Sequence, residues 1–271
     1  MKHNSPFDLD ESGPISYLSI DTGLPVWAAF STRKGGISDP PYATANMAYH
    51  VGDDPRMVEE NRLLLSAAVT GREGVPVCTA SQVHGNRFLL LDSSTPMAIN
   101  ELENQPADSL ITAARGILLG IMTADCLPVL LIDRQARAVA AVHAGWRGLL
   151  ARVVPRTMKA MEINYGVAPA DLLVLLGPCI GRCCYQVGEE LIRKFAAELP
   201  FAVDHTWYDE LSGDYYLDLV RLQVLQLQEM GVLPTAVKVA DLCTACKNFF
   251  FSYRREHGIM GRQIAVVGLV D

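Results

Sequence analysis

Four apolar runs of strand length stand close together in the middle of the chain, at Phe88–Leu91, Gly116–Met122, Leu127–Ile132 and Ala138–Val142. Runs this short, bounded by turn residues and lacking polar alternation, read as strands buried on both faces. Only Arg134-Gln135-Ala136 breaks the third run from the fourth. That is too short for a crossover helix, so these two strands must form an antiparallel hairpin. The sheet is therefore expected to be mixed or antiparallel.

Helices are expected around this sheet. Asp54 followed by Pro55 is an N-cap with proline in the first turn, and the spacing predicts a helix from Pro55 to Val69. A second helix should follow Gly148 and reach Tyr165, with Pro155 either kinking it or marking its true first turn. Apolar residues at helical spacing predict two more, over Glu189–Leu199 and Leu219–Met230, the latter stopped by Gly231. Further strands are expected near Trp27–Ser31, at Leu172–Leu176 and at Gln263–Val270. The interleaving lacks the regular rhythm of a doubly wound sheet and points to a mixed-sheet α/β, α+β-like layered domain. Residues 1–13 are polar and read as a flexible tail; residues 14–271 read as one domain, long enough to bury a large core.

Composition narrows the function classes. The 30 acidic side chains outnumber the 23 basic ones, for a net charge of −7. Polyanions are bound by dense Lys and Arg clusters, so nucleic acid is not an expected partner. No apolar run approaches the roughly 20 residues that span a bilayer, and the amino terminus carries no export signal. Seven cysteines, an odd count, argue for reduced thiols or metal ligation rather than a disulfide framework, and so for the cytoplasm. Oligomeric state, monomer or homodimer, is left open.

Three side chains of metal-ligand type lie at strand ends beside small or turn-forming neighbours. They are His84 in SQVHG, Cys126 in TADCLP and His143 in AVHAGWRG. Two imidazoles and a thiolate suit zinc, and three protein ligands leave one tetrahedral position for water or substrate, as in catalytic sites. Zinc would hold Cys126 as thiolate and bring a bound water toward a pKa of roughly 7. Taken singly, each residue reads more readily as a packed structural side chain; it is their combination with Gly85 and Ala144-Gly145, which permit close backbone approach, that favours ligation.

A second group, Cys179, Cys183 and Cys184 with Cys243-Thr244-Ala245-Cys246, reads as packed thiols, because a second knuckle at regular zinc-site spacing is absent. Arg33, Arg147 and Arg254 stand beside glycine or aromatic residues and can pair with an anionic substrate group. Gly177-Pro178-Cys179-Ile180-Gly181 lacks the Gly-Lys-Ser/Thr ending of a phosphate loop and is expected to shape a pocket wall.

Together the segments NMAYHVGDDP from Asn46, SQVHG from Ser81, TADCLPVLL from Thr123, AVHAGWRGL from Ala141, GPCIGRCCYQVG from Gly177 and CTACKNFFFSYRREHGIMGR from Cys243 resemble the laccase-domain (YfiH-type) family. Its members are also called multicopper polyphenol oxidases or FAMIN-type purine nucleoside phosphorylases. The resemblance runs from about Trp27 to the carboxyl terminus. It implies a single α/β domain with a zinc site at His84, Cys126 and His143, and phosphorolysis of adenosine, inosine and methylthioadenosine together with adenosine deamination. It places Cys126, next to Asp125, at the reacting centre, and Asn46, His50, Arg147 and Arg254 around ribose and phosphate; because His84-Gly85-Asn86 lacks the Glu that zinc deaminases carry beside the first ligand, Asp125 is the expected base.

Two other activities attach to the same family. A copper-dependent, laccase-like oxidase needs a trinuclear cluster with many imidazoles, and the chain has six His in all, so copper is the weaker choice of metal. A hydrolase editing peptidoglycan precursors would use the same zinc chemistry.

Overall fold

The computed structural model describes residues 6–91, 99–199 and 206–271. Two six-stranded sheets form its centre. The first runs β1 (Asp8–Asp10), β2 (Ile15–Ser19), β3 (Val26–Gly35), β15 (Gln263–Leu269), β7 (Leu118–Thr123) and β4 (Val77–Cys78), antiparallel except for the β4–β7 pair. The second runs β14 (Val237–Val239), β10 (Leu172–Leu176), β8 (Leu127–Asp133), β9 (Val139–Ala144), β6 (Ser109–Thr112) and β5 (Phe88–Leu91), with parallel pairs at its two edges. A small antiparallel sheet joins β11 (Gln186–Val187), β13 (Asp214–Leu217) and β12 (Thr206–Asp209).

The large sheets face each other across a core built from Phe30, Leu119, Ile121 and Val267 on one side and Leu110, Leu130, Ile132 and Leu175 on the other. Helix α1 (Pro55–Thr70) covers the outer face of the first sheet through Leu65. On the outer face of the second, α4 (Val153–Tyr165) and α6 (Leu219–Glu229) pack Met158, Met161 and Leu227 onto Val129, Leu131 and Val142. This gives four layers, helix, sheet, sheet, helix. It also explains the unbroken apolar runs: successive residues of β8 point to opposite faces, and both faces are covered. Each fully buried leucine contributes about 1.5–3 kcal/mol of transfer free energy.

The expected hairpin is β8–β9, with Leu127 opposite Ala144 and Ile132 opposite Val139. At its turn the buried Asp133 carboxylate accepts the Arg137 N–H at 2.9 Å and pairs with the Arg137 guanidinium. Asp54 caps α1 by accepting the Arg56 N–H at 2.9 Å. Pro155 lies in the first turn of α4; a break at Arg152, with φ of 56°, separates α4 from a short α3 (Trp146–Leu150). The remaining helices are α2 (Ile99–Leu102), α5 (Glu189–Glu198) and α7 (Tyr253–Glu256).

Residues 6–13, read from sequence as part of a tail, instead carry β1, which pairs with β2. Phe7 is buried edge-on against Phe30, with ring centroids 5.6 Å apart. One aromatic contact with the core anchors a segment whose polar composition gave no sign of it. Residues 1–5 lie outside the described part of the chain.

Candidate active site

Strand pairing assembles the site. Because Pro128 lies opposite His143 in the β8–β9 register, Cys126, one residue before β8, and His143, near the end of β9, share one end of the hairpin. Ser109 of β6 pairs with Val142, so Asp108 arrives beside His143, whose N–H donates to the Asp108 carbonyl at 2.7 Å. His84 comes from the loop between β4 and β5, and Asp108 fixes that loop as well. Its buried carboxylate accepts the backbone N–H groups of Val83, His84 and Gly85 at 3.3, 2.9 and 2.6 Å.

Asp108 also lies 2.8 Å from His143 Nδ1. A carboxylate there holds the proton on Nδ1 and leaves Nε2 as a ligand, the usual arrangement behind a metal-bound histidine. The ligand atoms of His84, Cys126 and His143 all lie within 4.8 Å of one another. His84 keeps a left-handed backbone, φ 59°, held by the Asp108 bonds. Gly145 explains how the three approach: a Cβ there would stand 2.8 Å from Cys126 Sγ and 3.4 Å from His84 Cδ2. The donor types, their spacing and the buried carboxylate behind His143 all fit a tetrahedral metal with a vacant position.

Protonation in the metal-free trio follows from the same contacts. Burial pushes the Cys126 thiol up, but the charges and hydrogen bonds of His143 and His84 outweigh it and bring it to about 6. Burial pushes His143 down; the Cys126 thiolate and Asp108 outweigh that and raise it to about 9. Both directions favour a thiolate facing an imidazolium.

The trio lies in the floor of a cavity of about 540 Å³. Of the residues singled out from sequence, His50, Asp125, Arg147 and Arg254 also line it. His50 is held below the usual histidine range by burial and by Arg262 and Arg62. Arg147 stacks on Trp146, 4.3 Å from the ring centroid. Arg254 donates to the carbonyls of Cys184 and Gln186 at 2.9 and 3.0 Å. The Gly177–Gly181 turn does contribute to the wall, through Ile180.

Three sequence expectations need correction. Arg33 does not reach the cavity: its guanidinium pairs with Glu256 at 3.0 Å and lies over Phe251. Asn46 is fully buried and does not line the cavity; its amide donates to Ala48 O and Asp53 and accepts from the N–H groups of Ala48 and Arg262. It positions Arg262, which does enter the cavity. Asp125 reaches the cavity, but its oxygens accept Thr244 Oγ1 at 2.6 Å and the Arg254 N–H at 2.7 Å, so its carboxylate anchors two neighbouring segments.

Sequence reasoning missed Asp108, Gln82, Trp146, Tyr185, Tyr253 and Arg262. Gln82, Trp146, Tyr185, Tyr253 and Arg262 stand inside the segments that carry the family resemblance, but nothing in their residue type marked a role there, and Asp108 merely precedes an ordinary strand. Burial, with the Cys126 charge adding to it, pushes the Tyr185 hydroxyl up to about 12, so it remains a donor.

The chain as a whole has relatives of similar sequence and fold. A family model described as multi-copper polyphenol oxidoreductase laccase matches residues 27–270. The purine nucleoside phosphorylase YlmD of Geobacillus stearothermophilus is 34% identical over 245 residues, covering 89% of each protein. The purine nucleoside phosphorylase YfiH of Shigella flexneri is 38% identical over 251 residues, covering 90% of this chain and 94% of that one. Crystal structures of Bacillus licheniformis YfiH and Geobacillus stearothermophilus YlmD superpose with TM-scores of 0.87 and 0.86, each at 31% identity; they cover 97% and 98% of this chain and 99% and 100% of theirs. With a family model matched over residues 27–270 and relatives more than 30% identical along most of its length, the chain belongs to the laccase-domain, YfiH-type family.

Proposed function

We propose that this protein is a zinc-dependent purine nucleoside phosphorylase acting on adenosine, inosine and methylthioadenosine, with adenosine deaminase activity at the same site. The observation that carries the reading is a trio of two histidines and one cysteine in the floor of a cavity whose walls hold three guanidinium groups, those of Arg147, Arg254 and Arg262. The names of its relatives, purine nucleoside phosphorylases at 34–38% identity, point the same way.

In phosphorolysis a phosphate oxygen attacks C1′ of the ribose, the C1′–N9 bond breaks, and the purine leaves with the electron pair. Guanidinium groups bind a phosphate dianion through paired, charge-assisted hydrogen bonds and hold it for attack. Tyr185 stays protonated across the physiological range and can donate to the departing base. The rings of Trp146, Tyr185 and Tyr253 offer flat apolar faces to purine and ribose. His84, Cys126 and His143 would hold the zinc, which when bound supplies a Lewis acid of the kind that deamination at C6 requires. Among the described residues only one other group of three or more potential ligands exists, and it contains no His. The imidazole-rich trinuclear cluster of a multicopper oxidase therefore has no counterpart there.

The test is inosine cleavage by zinc-loaded protein. Hypoxanthine and ribose 1-phosphate should form only when phosphate is supplied, and Arg262→Ala should raise the KM for phosphate about tenfold, one charge-assisted contact. Turnover indifferent to phosphate, or release of an amino acid from a peptidoglycan precursor with no nucleoside turnover, would refute the reading.

A further inference from the structure

Cys183, Cys184, Cys243 and Cys246, whose spacing in sequence matches no regular zinc motif, form a second cluster with all four sulfurs within 4.8 Å of one another. Cys246 Sγ lies 3.5 Å from Cys183 Sγ and 3.3 Å from Cys184 Sγ, and none of the four is in a disulfide. A zinc ion bound by four thiolates at about 2.3 Å sets its sulfurs about 3.8 Å apart. The cluster is therefore already near the size of a closed site of four thiolates. The second knuckle that sequence spacing failed to supply is the adjacent pair Cys183-Cys184. The turn after Gly181, whose carbonyl accepts the N–H groups of Cys184 and Tyr185 at 3.0 Å each, folds that pair toward the Cys243-x-x-Cys246 turn.

The surroundings are those of a thiolate metal site. The Gly181 N–H donates to Cys243 Sγ at 3.2 Å, and a Cβ at Gly181 would stand 3.3 Å from Cys183 Sγ and 3.6 Å from Cys243 Sγ, so the turn lies in contact with both sulfurs. Two guanidinium groups hold the same two turns. Arg254 donates to Cys184 O at 2.9 Å, and Arg255 donates to the carbonyls of Thr244, Ala245 and Lys247 at 2.9, 3.2 and 3.1 Å. Arg254 places positive charge beside a centre that would carry net negative charge once four thiolates surround a divalent ion, while the charge of Arg255 is paired with Glu256.

We infer that Cys183, Cys184, Cys243 and Cys246 bind a second, structural zinc ion that clasps the segment following β10 to the segment following β14. The clasp bears on the cavity from behind. The first segment carries Ile180 and Tyr185 into the cavity wall, and Thr244 of the second bonds Asp125, which in turn holds the Arg254 N–H. With all four positions taken by protein, this zinc has no open site for substrate; its role is to fix the wall, whatever reaction the cavity performs.

The experiment counts metal on intact protein. Wild type purified with zinc should contain about two ions per chain, and Cys126→Ser about one. Cobalt loaded into the Cys126→Ser variant should give the intense visible bands of an all-thiolate tetrahedral site. Stepwise addition of an organomercurial to that variant should release its zinc as about four thiols are consumed. These measurements leave the clasp sequence intact, so they do not depend on a clasp variant folding. The double variant Cys243→Ser/Cys246→Ser, where soluble, should keep about one ion, held by His84, Cys126 and His143. A Cys126→Ser protein that is metal-free after loading, or whose mass shows two hydrogens lost to a disulfide among these cysteines, would overturn the inference.

Discussion

Replacing Asp108 by Asn tests the assembly of the site with a change of one atom. The carboxylate serves four donors, and each oxygen serves two: Oδ1 accepts from the His84 N–H and His143 Nδ1, Oδ2 from the Val83 and Gly85 N–H groups. An amide has only one oxygen. Set one way, its NH2 faces the N–H groups of Val83 and Gly85, and the loop carrying His84 loses two partners. Set the other way, His143 Nδ1 must accept, the proton moves to Nε2, and the ring can no longer bind metal through that nitrogen. Each orphaned donor costs roughly 1–3 kcal/mol. The loop can relax, since Val83 is 52% exposed, which places the loss at about 2–4 kcal/mol, or about 4–8 °C in Tm for a chain of this size. Zinc affinity, measured by competition with a chelator, should weaken about 10- to 100-fold. Asp133→Asn is the control: it disturbs an equally buried carboxylate at the far end of the hairpin, paired with Arg137, and should lower Tm while leaving zinc affinity unchanged. An Asp108→Asn protein with wild-type zinc affinity and Tm would refute the reasoning.

Three further outcomes follow from the same geometry. Gly145→Ala places a Cβ 2.8 Å from Cys126 Sγ; the variant should fold, by circular dichroism, yet bind zinc at least about tenfold more weakly, because a ligand is displaced from bonding distance. Zinc affinity should depend on pH in two stages. Cys126 titrates below its usual range, at about 6, and His143 above its usual range, at about 9, so between those values zinc displaces one proton from the pair, on His143. Affinity then falls about tenfold per unit as pH drops from 9 to 6, and about a hundredfold per unit below 6, where Cys126 is protonated too; chelator competition at pH 7 and pH 8 giving equal affinities would count against the thiolate–imidazolium pair. Asn46→Ala should cost about 2–4 kcal/mol in urea unfolding and raise the KM for phosphate through displaced Arg262, since it strands buried partners that include the Arg262 N–H.

Local chemistry made the secondary structure legible. The break at residues 134–136 dictated a hairpin and the Asp54-Pro55 pair dictated the start of α1, whereas Pro155 left a kink or a first turn open and the structure chose the first turn, where its missing N–H leaves no bond unmade. The residue types of His84, Cys126 and His143 likewise announced metal chemistry, because few side chains bind zinc and these lay at strand ends. What the sequence could not encode locally was direction and company. Arg33 and Arg262 are both cationic residues near glycines; one meets Glu256 and Phe251, while the other turns into the cavity. Asp108 looked like any polar residue ahead of a strand until the β6–β9 pairing set it beside His143. The two cysteine pairs, about sixty residues apart, became one cluster only through the packing of two turns. A side chain's chemistry belongs to its residue, but its partners are set by long-range pairing of strands, and that pairing exists only once the whole chain has folded.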